Sequence, residues 1–345
     1  MIETYKGKKA LLIGNGINQL DSDQSFSWGD LLDELKNNYN INVDLDNIFK
    51  PFPLAFDEML HKKLGSNTFK NKIKILKQNI RLSIEKQING KRGYNEYHEK
   101  ISKLNYDDIL TTNYDYSIEK SILNDFFNKK DKLAINKQEI KYSLKRGYKL
   151  HNKKVWHIHG ELFDSRKYSN KSKNYKEESI LIGYQHYSSY LEAIQKKIKG
   201  KSGSQSIENQ SLLIRLKNQS LSPFWIDKLF THNVDIVGLG FDFSENHLWW
   251  LINFRANLKR TISPKYDIDI NNRIRFFYPK INGSDQLNLQ ELNNIDKILK
   301  KKNDFMKLKA ISDLLKAFDV EPKEIPCESY KDFYDKLISR ELNNL

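Results

Sequence analysis

The sequence predicts an α/β protein built on a Rossmann-like parallel sheet flanked by helices. Four short apolar runs are each followed at once by glycine or polar residues, which is typical of buried strands that end at a sheet edge. Long segments with apolar residues at helical spacing separate these runs, as crossover helices would. The runs span residues 10–13, 108–110, 155–158 and 234–237. Because ligands of an open parallel sheet bind beyond the carboxyl ends of its strands, we expect the four polar motifs to gather at one edge.

Apolar periodicity also predicts the other elements. These are helices over 28–38, 116–150 and 287–345, and a late strand over 273–278. No strand pattern interrupts the periodicity of residues 50–104, so we expect a helical insertion near residues 40–104. We therefore expect residues 1–285 to form one domain with that insertion, and residues 286–345 to form a helical C-terminal extension packed on it.

Composition limits the class of protein. The chain has 345 residues, of which 39% are hydrophobic, and its single cysteine, Cys327, rules out a disulfide within the chain and a cysteine-based zinc site. No apolar stretch reaches the roughly 18–20 residues of a membrane helix. The first residues lack the basic-then-apolar order of a signal peptide. We therefore expect a cytoplasmic protein with no membrane association and no metal.

The formal net charge is +14, from 58 Lys and Arg against 44 Asp and Glu. Such a balance suits nucleic acid or acidic partners. The basic clusters are scattered, however, and no arginine–aromatic repeat accompanies them, which favours an ordinary solvated surface. Nucleic acid stays open as a partner.

The first motif, which includes Gly14, Asn15, Gly16 and Asn18, is a glycine turn followed by a helix start. Such a turn lets the backbone approach a pyrophosphate, and the helix start offers free N–H groups to that anion. The alternative is an ordinary strand–helix turn, because the third glycine of a dehydrogenase fingerprint is missing.

The second motif places Thr112, Asn113 and Asp115 after the second apolar run. The asparagine can orient a water molecule or a ribose hydroxyl, and the aspartate can accept hydrogen bonds from a sugar. All three residue types are also good helix caps, so capping is the alternative role.

The third motif contains His157 and His159, which would face the same side of a continuous strand. They could be two metal ligands, with His186 and His247 as the remaining candidates. His159 could instead be a general base, because histidine exchanges protons near neutral pH. A hydrogen-bonded structural role is the expectation for His157.

The fourth motif, with Gly238, Gly240 and Asp242, again combines a glycine turn with a helix start. Its backbone could approach the ribose or phosphate of a nucleotide. Asp242 could equally cap the helix that follows, as could Ser244 and Glu245.

The four motifs follow one another as a glycine turn, Thr-x-Asn-x-Asp, x-His-Gly and Gly-x-Gly. This order resembles that of the Sir2 (sirtuin) superfamily. The resemblance is closest to the bacterial SIR2-like NAD-hydrolysing domains of anti-phage defence, and the opening Gly-Asn-Gly turn also resembles an abortive-infection family. It covers residues 10–250 and implies catalytic roles for Asn113, His159 and Asp115. The residues that it implies for NAD binding are Gly14, Asn15, Gly16, Asn18, Thr112, Gly238, Gly240 and Asp242.

The resemblance implies an NAD+ hydrolase that gives nicotinamide and ADP-ribose and depletes NAD as the effector of an anti-phage, abortive-infection system. The four-cysteine zinc module of deacylating sirtuins is missing, which disfavours a protein deacylase. A non-catalytic nucleotide-sensing or nucleic-acid-binding subunit is the other alternative. Since an unregulated NAD hydrolase would kill its host, we expect a homo-oligomer or a partner defence protein, such as an ATPase, an Argonaute-like protein or a phage-derived activator.

Overall fold

A computed structural model describes the chain at residues 7–20, 27–45, 50–64, 94–135, 142–161, 180–219, 223–262, 268, 270–281 and 295–342. Its centre is one seven-stranded sheet. The strands are β1 (Lys9–Ile13), β2 (Asp108–Thr111), β3 (Gly147–Leu150), β4 (Lys153–His157), β5 (Asn233–Val237), β6 (Ile274–Ile281) and β7 (Glu321–Cys327). Their order is β3-β4-β2-β1-β5-β6-β7, and every neighbouring pair is parallel except β3 with β4. The predicted parallel α/β fold is confirmed.

Helices flank the sheet. Those of the described residues are α1 (Trp28–Tyr39), α2 (Phe52–Leu64), α3 (Glu96–Ser102), α4 (Ser117–Ile122), α5 (Phe126–Leu133), α6 (Tyr184–Lys199), α7 (Leu212–Lys217), α8 (Lys228–Thr231), α9 (Asn246–Asn257), α10 (Ile295–Ala317) and α11 (Tyr330–Lys336). Short 3-10 turns span Asn15–Leu20 and Trp225–Asp227, and π-helical turns span Leu258–Ile262 and Leu337–Leu342. Among these helices none is long and apolar enough to cross a membrane.

Both faces of the sheet are buried, which explains why its central strands are continuous apolar runs. In β1, Ala10 and Leu12 belong to the apolar cluster on one face, and Leu11 and Ile13 belong to the cluster on the other. Helices α6, α7 and α9 contribute to the first cluster, and α3, α4 and α11 contribute to the second. The sheet therefore forms the middle of three layers.

Two strands lie where the periodicity predicted helix, so the helical prediction was wrong for those two segments. Helices α4, α5, α10 and α11 confirm it elsewhere in the same ranges. β3 lies within residues 116–150 and forms an antiparallel hairpin with β4. β7 lies within residues 287–345 and pairs with β6 over seven residues. It contains Pro322 and Pro326, which an edge strand tolerates because one side of its backbone needs no partner strand. Pairing with the sheet, rather than a local apolar pattern, makes these segments strands.

The other predicted elements compare as follows. The late strand is confirmed as β6, which continues past the predicted end to Ile281. The predicted insertion near 40–104 contains α2 and α3, while residues 65–93 lie outside the described residues. The division at residues 285 and 286 stays a prediction, although β7 shows that the extension also supplies the edge of the main sheet.

Candidate functional site

Four parallel strands end in one row across the sheet. Ile13 of β1 is paired with Thr111 of β2 on one side and with Val237 of β5 on the other. Thr111 is in turn paired with His157 of β4. The polar motifs that follow these four residues therefore begin at the same sheet edge, as the sequence predicted. Parallel α/β proteins bind their ligands at this edge.

The two glycine turns pack directly against each other. The Gly14 N–H donates to the Val237 carbonyl at 3.0 Å, and the Gly16 N–H donates to the Gly238 carbonyl at 2.9 Å. A Cβ on Gly14 or Gly16 would collide with the backbone of the Gly238 turn. Close packing of the two turns is therefore sufficient reason for both glycines.

Gly238 and Gly240 differ in their surroundings. Gly238 has a φ of +62°, a left-handed conformation that favours glycine, and a Cβ there would meet the hydroxyl of Tyr334 on α11. Around Gly240 the space is open, because nothing among the described residues lies within 4 Å of the position its Cβ would take. Of the two, Gly240 is the one whose lack of a side chain leaves room for a ligand.

Asp242 fixes the loop after the second glycine turn. One oxygen of its carboxylate accepts a hydrogen bond from the Ser244 N–H at 2.9 Å, and the other forms an ion pair with Lys307 of α10. Burial raises the pKa of Asp242, but the hydrogen bonds from Lys307 and Ser244 and the charge of Lys307 together outweigh burial, and the net pKa is lowered. Asp242 thus connects this loop to the C-terminal region.

Asn15, Asn18 and Asp115 form a hydrogen-bonded network between the first and second motifs. The Asn18 amide donates to Asn15 Oδ1 and to Asp115 Oδ2, both at 2.9 Å. The other oxygen of Asp115 accepts from the Ser117 N–H at the start of α4, at 2.9 Å. Asp115 therefore has the cap-like contact that the sequence offered as its alternative role, and it also joins two motifs.

Asn113 is buried beside the first glycine turn, with 3% of its surface exposed. Its N–H donates to the Thr111 hydroxyl at 3.0 Å, and its Nδ2 donates to the Gly14 carbonyl at 3.4 Å. Its Oδ1 has no hydrogen-bond partner among the described residues. Buried acceptors are nearly always satisfied, so this oxygen is a candidate contact for a ligand or a water molecule. The neighbouring Thr112 is also buried, and its N–H donates to the Ile13 carbonyl at 3.1 Å.

His157 has the structural role that the sequence favoured. Its Nε2 lies 2.6 Å from Glu119 Oε1, and its Nδ1 lies 3.2 Å from the Asn113 carbonyl oxygen. Two acceptors can both be satisfied only by a ring that carries a proton on each nitrogen. Burial lowers the pKa of His157, but the charge and hydrogen bond of Glu119, together with the charge of Glu161 and the Asn113 carbonyl, outweigh burial, and the net pKa is raised. A protonated His157 then holds the backbone of Asn113 in place.

His159 lies on the opposite face from His157, so the prediction that both rings face one side was wrong. The reason is that β4 ends at His157, and the chain turns before His159. The His157 ring packs against Tyr148, whereas the His159 ring packs against Tyr187 in the other apolar cluster. The two histidines therefore do not form a pair of metal ligands.

His159 instead has two polar neighbours from the start of α9. Its Nε2 lies 3.2 Å from His247 Nε2 and 3.1 Å from Glu245 Oε2. Donor atoms of these three residues all lie within 4.8 Å of one another, the arrangement that could hold a metal ion. Sequence reasoning offered His247 as a further ligand beside His159 in the metal alternative and Glu245 as a helix cap, but it did not place Glu245 beside the two histidines. The local signal is the Glu-x-His spacing of Glu245 and His247, in the segment that follows the glycine turn.

The fold and the motifs define a Rossmann-like α/β protein with a polar site at the carboxyl edge of its parallel strands. Residues 107–264 match the family model described as the SIR2-like domain. That segment is therefore a SIR2-like domain, and the match supports an NAD-dependent enzyme family in general. A search of curated proteins finds no match. The matched segment includes the second, third and fourth motifs, and the first glycine turn precedes it.

Proposed function

We propose that this protein is an NAD+ hydrolase that cleaves the nicotinamide–ribose bond. The observation that carries the proposal is Asn113, a buried asparagine whose Oδ1 lacks a hydrogen-bond partner among the described residues. Asn113 follows the end of β2, and His159 follows the end of the neighbouring strand β4. The two strands end at the same sheet edge, because Thr111 is paired with His157. An amide and an imidazole at one sheet edge are suited to holding a water molecule and accepting its proton.

The residues at this edge fit a dinucleotide substrate. The open space at Gly240 leaves room for close approach of a ribose or phosphate. Asn15 and Asn18 border the first turn and place amide groups there, while Thr112 lies at the end of β2. We propose that Gly14, Gly16 and Gly238 shape the turns on which the diphosphate rests. Asp242 would hold the loop that carries Gly240.

The proposed reaction is balanced with these groups. The bond between ribose C1′ and the nicotinamide nitrogen breaks, and its electron pair neutralises the cationic ring of the leaving nicotinamide. The oxygen of a water molecule forms the new bond to C1′, and the proton of that water passes to His159. Asn113 Oδ1 would orient the water or a ribose hydroxyl, and Asp115 would organise the ribose pocket. The products are nicotinamide, ADP-ribose and one proton.

We also propose a role for this activity as the NAD-depleting effector of an anti-phage, abortive-infection system. The support is the SIR2-like match, together with the resemblance of the motifs to such domains. Depletion of NAD harms the host, so the activity needs a trigger. We propose control through a homo-oligomer or through a partner defence protein.

The test is NAD+ consumption, with product identification, by the purified full-length protein alone and with lysate from phage-infected cells. We expect nicotinamide and ADP-ribose from the wild type and at least a 100-fold loss of turnover in Asn113→Ala and His159→Ala. Asn257→Ala and His61→Ala change exposed residues and serve as matched controls that keep turnover.

Binding of NAD+ without turnover in every condition would contradict the hydrolase. It would favour the non-catalytic nucleotide-sensing subunit. Thermal melting of each variant shows whether a loss of turnover reflects unfolding.

A further inference from the structure

The imidazoles of His159 and His247 face each other through their Nε2 atoms at 3.2 Å. Such a contact is favourable only when one of the two nitrogens carries a proton and the other offers a lone pair. The position of Glu245 Oε2 determines which of the two nitrogens carries the proton. This oxygen lies 3.1 Å from His159 Nε2, and a lone pair on that nitrogen would face a carboxylate oxygen. The proton therefore belongs on His159 Nε2.

The surroundings of His247 agree with this assignment. The ring is fully buried at the start of α9, and the rings of Tyr187 and Tyr190 lie 5.5 Å from it. A neutral imidazole can accept the hydrogen bond from His159.

Among the residues that the structure describes, Glu245 is the one that brings a negative charge into direct contact with His159. Helix α6 presents Tyr187 and Tyr190, and burial raises the pKa of both hydroxyls, so they stay neutral. Tyr114 is also neutral, because burial and then Glu245 raise its pKa. Asp242 and Arg146 act on Tyr187 and Tyr190, respectively, through their charges. The Glu245 carboxylate is thus placed to stabilise His159 when it becomes a cation.

We propose that His247 and Glu245 are positioning residues that hold the Nε2–H tautomer of His159 and leave its Nδ1 as the proton acceptor. The inference rests on the proposed NAD+ hydrolysis, in which His159 takes the proton of the attacking water. That proton goes to Nδ1, and the resulting imidazolium keeps its Nε2–H toward His247 and Glu245. No other proton moves in the step.

Kinetics of the full chain test the positioning role. We expect His247→Ala to lower kcat about 100-fold with KM for NAD+ changed less than about threefold, because the proton acceptor loses its orientation. His247→Gln offers an amide oxygen as acceptor, and it should recover most of kcat. Glu245→Gln should also lower kcat, because an amide replaces the carboxylate that lies against His159 Nε2. Leu248→Ala makes a comparable cavity on the same helix and serves as the matched control for a merely structural effect.

Long-range ¹H–¹⁵N spectra of ¹⁵N-histidine-labelled protein show which nitrogen of His159 carries the proton, and they do so without any turnover. We expect a protonated Nε2 and an unprotonated Nδ1 for His159, assigned by their loss in His159→Ala. A protonated Nδ1, an unchanged kcat in both His247→Ala and Glu245→Gln, or a stoichiometric metal ion that His247→Ala removes would overturn the inference. A wild type without turnover whose His159 still shows the expected tautomer would contradict only the proposed hydrolysis.

Discussion

The side-chain amide of Asn18 donates to the carboxylate of Asp115 at 2.9 Å and joins the turn after β1 to the loop after β2. The same carboxylate accepts from the Ser117 N–H through its other oxygen. Asp115 is thus both an anchor for α4 and a border residue of the proposed ribose pocket. These two roles can be separated by experiment.

Asp115→Asn keeps an oxygen for the Ser117 N–H but removes the negative charge. Its new NH2 group faces the Asn18 amide, so the hydrogen bond from Asn18 is lost. We expect its free energy of unfolding to fall by about 1 kcal/mol and KM for NAD+ to rise at least fivefold. Asp115→Ala also loses the anchor and should cost about 1 kcal/mol more. Urea unfolding and steady-state kinetics measure the two effects. If Asp115→Asn kept the wild-type KM, Asp115 would be an anchor alone.

We expect substitution by alanine to lower stability at Gly14 but not at Gly240. Gly14→Ala places a methyl group against the backbone of Gly238 and Leu239, and we expect a loss of about 2–3 kcal/mol in stability. Gly240→Ala meets open space and should change stability by less than about 0.5 kcal/mol. Calorimetry and NAD+ titration check both variants. We expect weaker NAD+ binding in Gly240→Ala, and unchanged affinity there would remove Gly240 from the site.

The sheet-edge site was predictable because its signals are local. Each motif directly follows an apolar run, and parallel pairing brings Ile13, Thr111, His157 and Val237 into one row. Central strands buried on both faces need such apolar runs, so their pattern is strong. The parallel α/β class and the place where the motifs meet therefore followed from the sequence.

The features that the sequence did not reveal depend on contacts between distant segments. β3 and β7 lie at the two edges of the sheet, where pairing with one neighbour determines the conformation. The sequence predicted the His159 ring on the same face as the His157 ring. This prediction was wrong because β4 ends one residue earlier than the apolar run suggests. His247 meets His159 from 88 positions away through the packing of α9 on the sheet. The sequence around each of these residues carries no pattern that would predict such contacts.

The buried pair of His157 and Glu119 predicts a pH-dependent part of stability. The pKa of His157 is raised above its ordinary 6.5, so the pair stabilises the fold fully below pH 6.5 and loses this contribution as pH rises through the raised value. We expect Glu119→Gln to cost about 3 kcal/mol at pH 6 and clearly less at pH 9. Urea unfolding at both pH values measures the difference.

Glu96→Gln is the matched control for this test. It breaks the exposed ion pair of Glu96 with Lys100, which contributes little to stability. Its effect should be small at both pH values. A cost of Glu119→Gln that did not change between pH 6 and pH 9 would show that His157 is neutral in the folded protein.

Asp108 holds a second buried network at the start of β2, which is the opposite end of the strand from Asn113. Its carboxylate accepts from Trp156 Nε1 at 2.7 Å and from His232 Nε2 at 3.0 Å, and the ammonium of Lys228 lies 3.8 Å away. Burial raises the pKa of Asp108, but the hydrogen bond from His232 and the charge of Lys228 outweigh burial and lower it to about 2. This network is structural, because it lies away from the edge where the motifs meet.

Asp108→Asn should therefore reduce stability without changing the proposed site. Since the pKa of Asp108 is lower in the folded protein than its ordinary 3.8, the carboxylate stabilises the fold above pH 3.8 and loses this effect as pH falls toward 2. We expect Asp108→Asn to cost about 3 kcal/mol at pH 7 and progressively less below pH 4, with KM for NAD+ unchanged. Urea unfolding between pH 7 and pH 3 follows the first effect, and NAD+ kinetics at pH 7 follow the second. Stability curves that stayed parallel down to pH 3 would mean that His232 and Lys228 do not hold the carboxylate in its charged form.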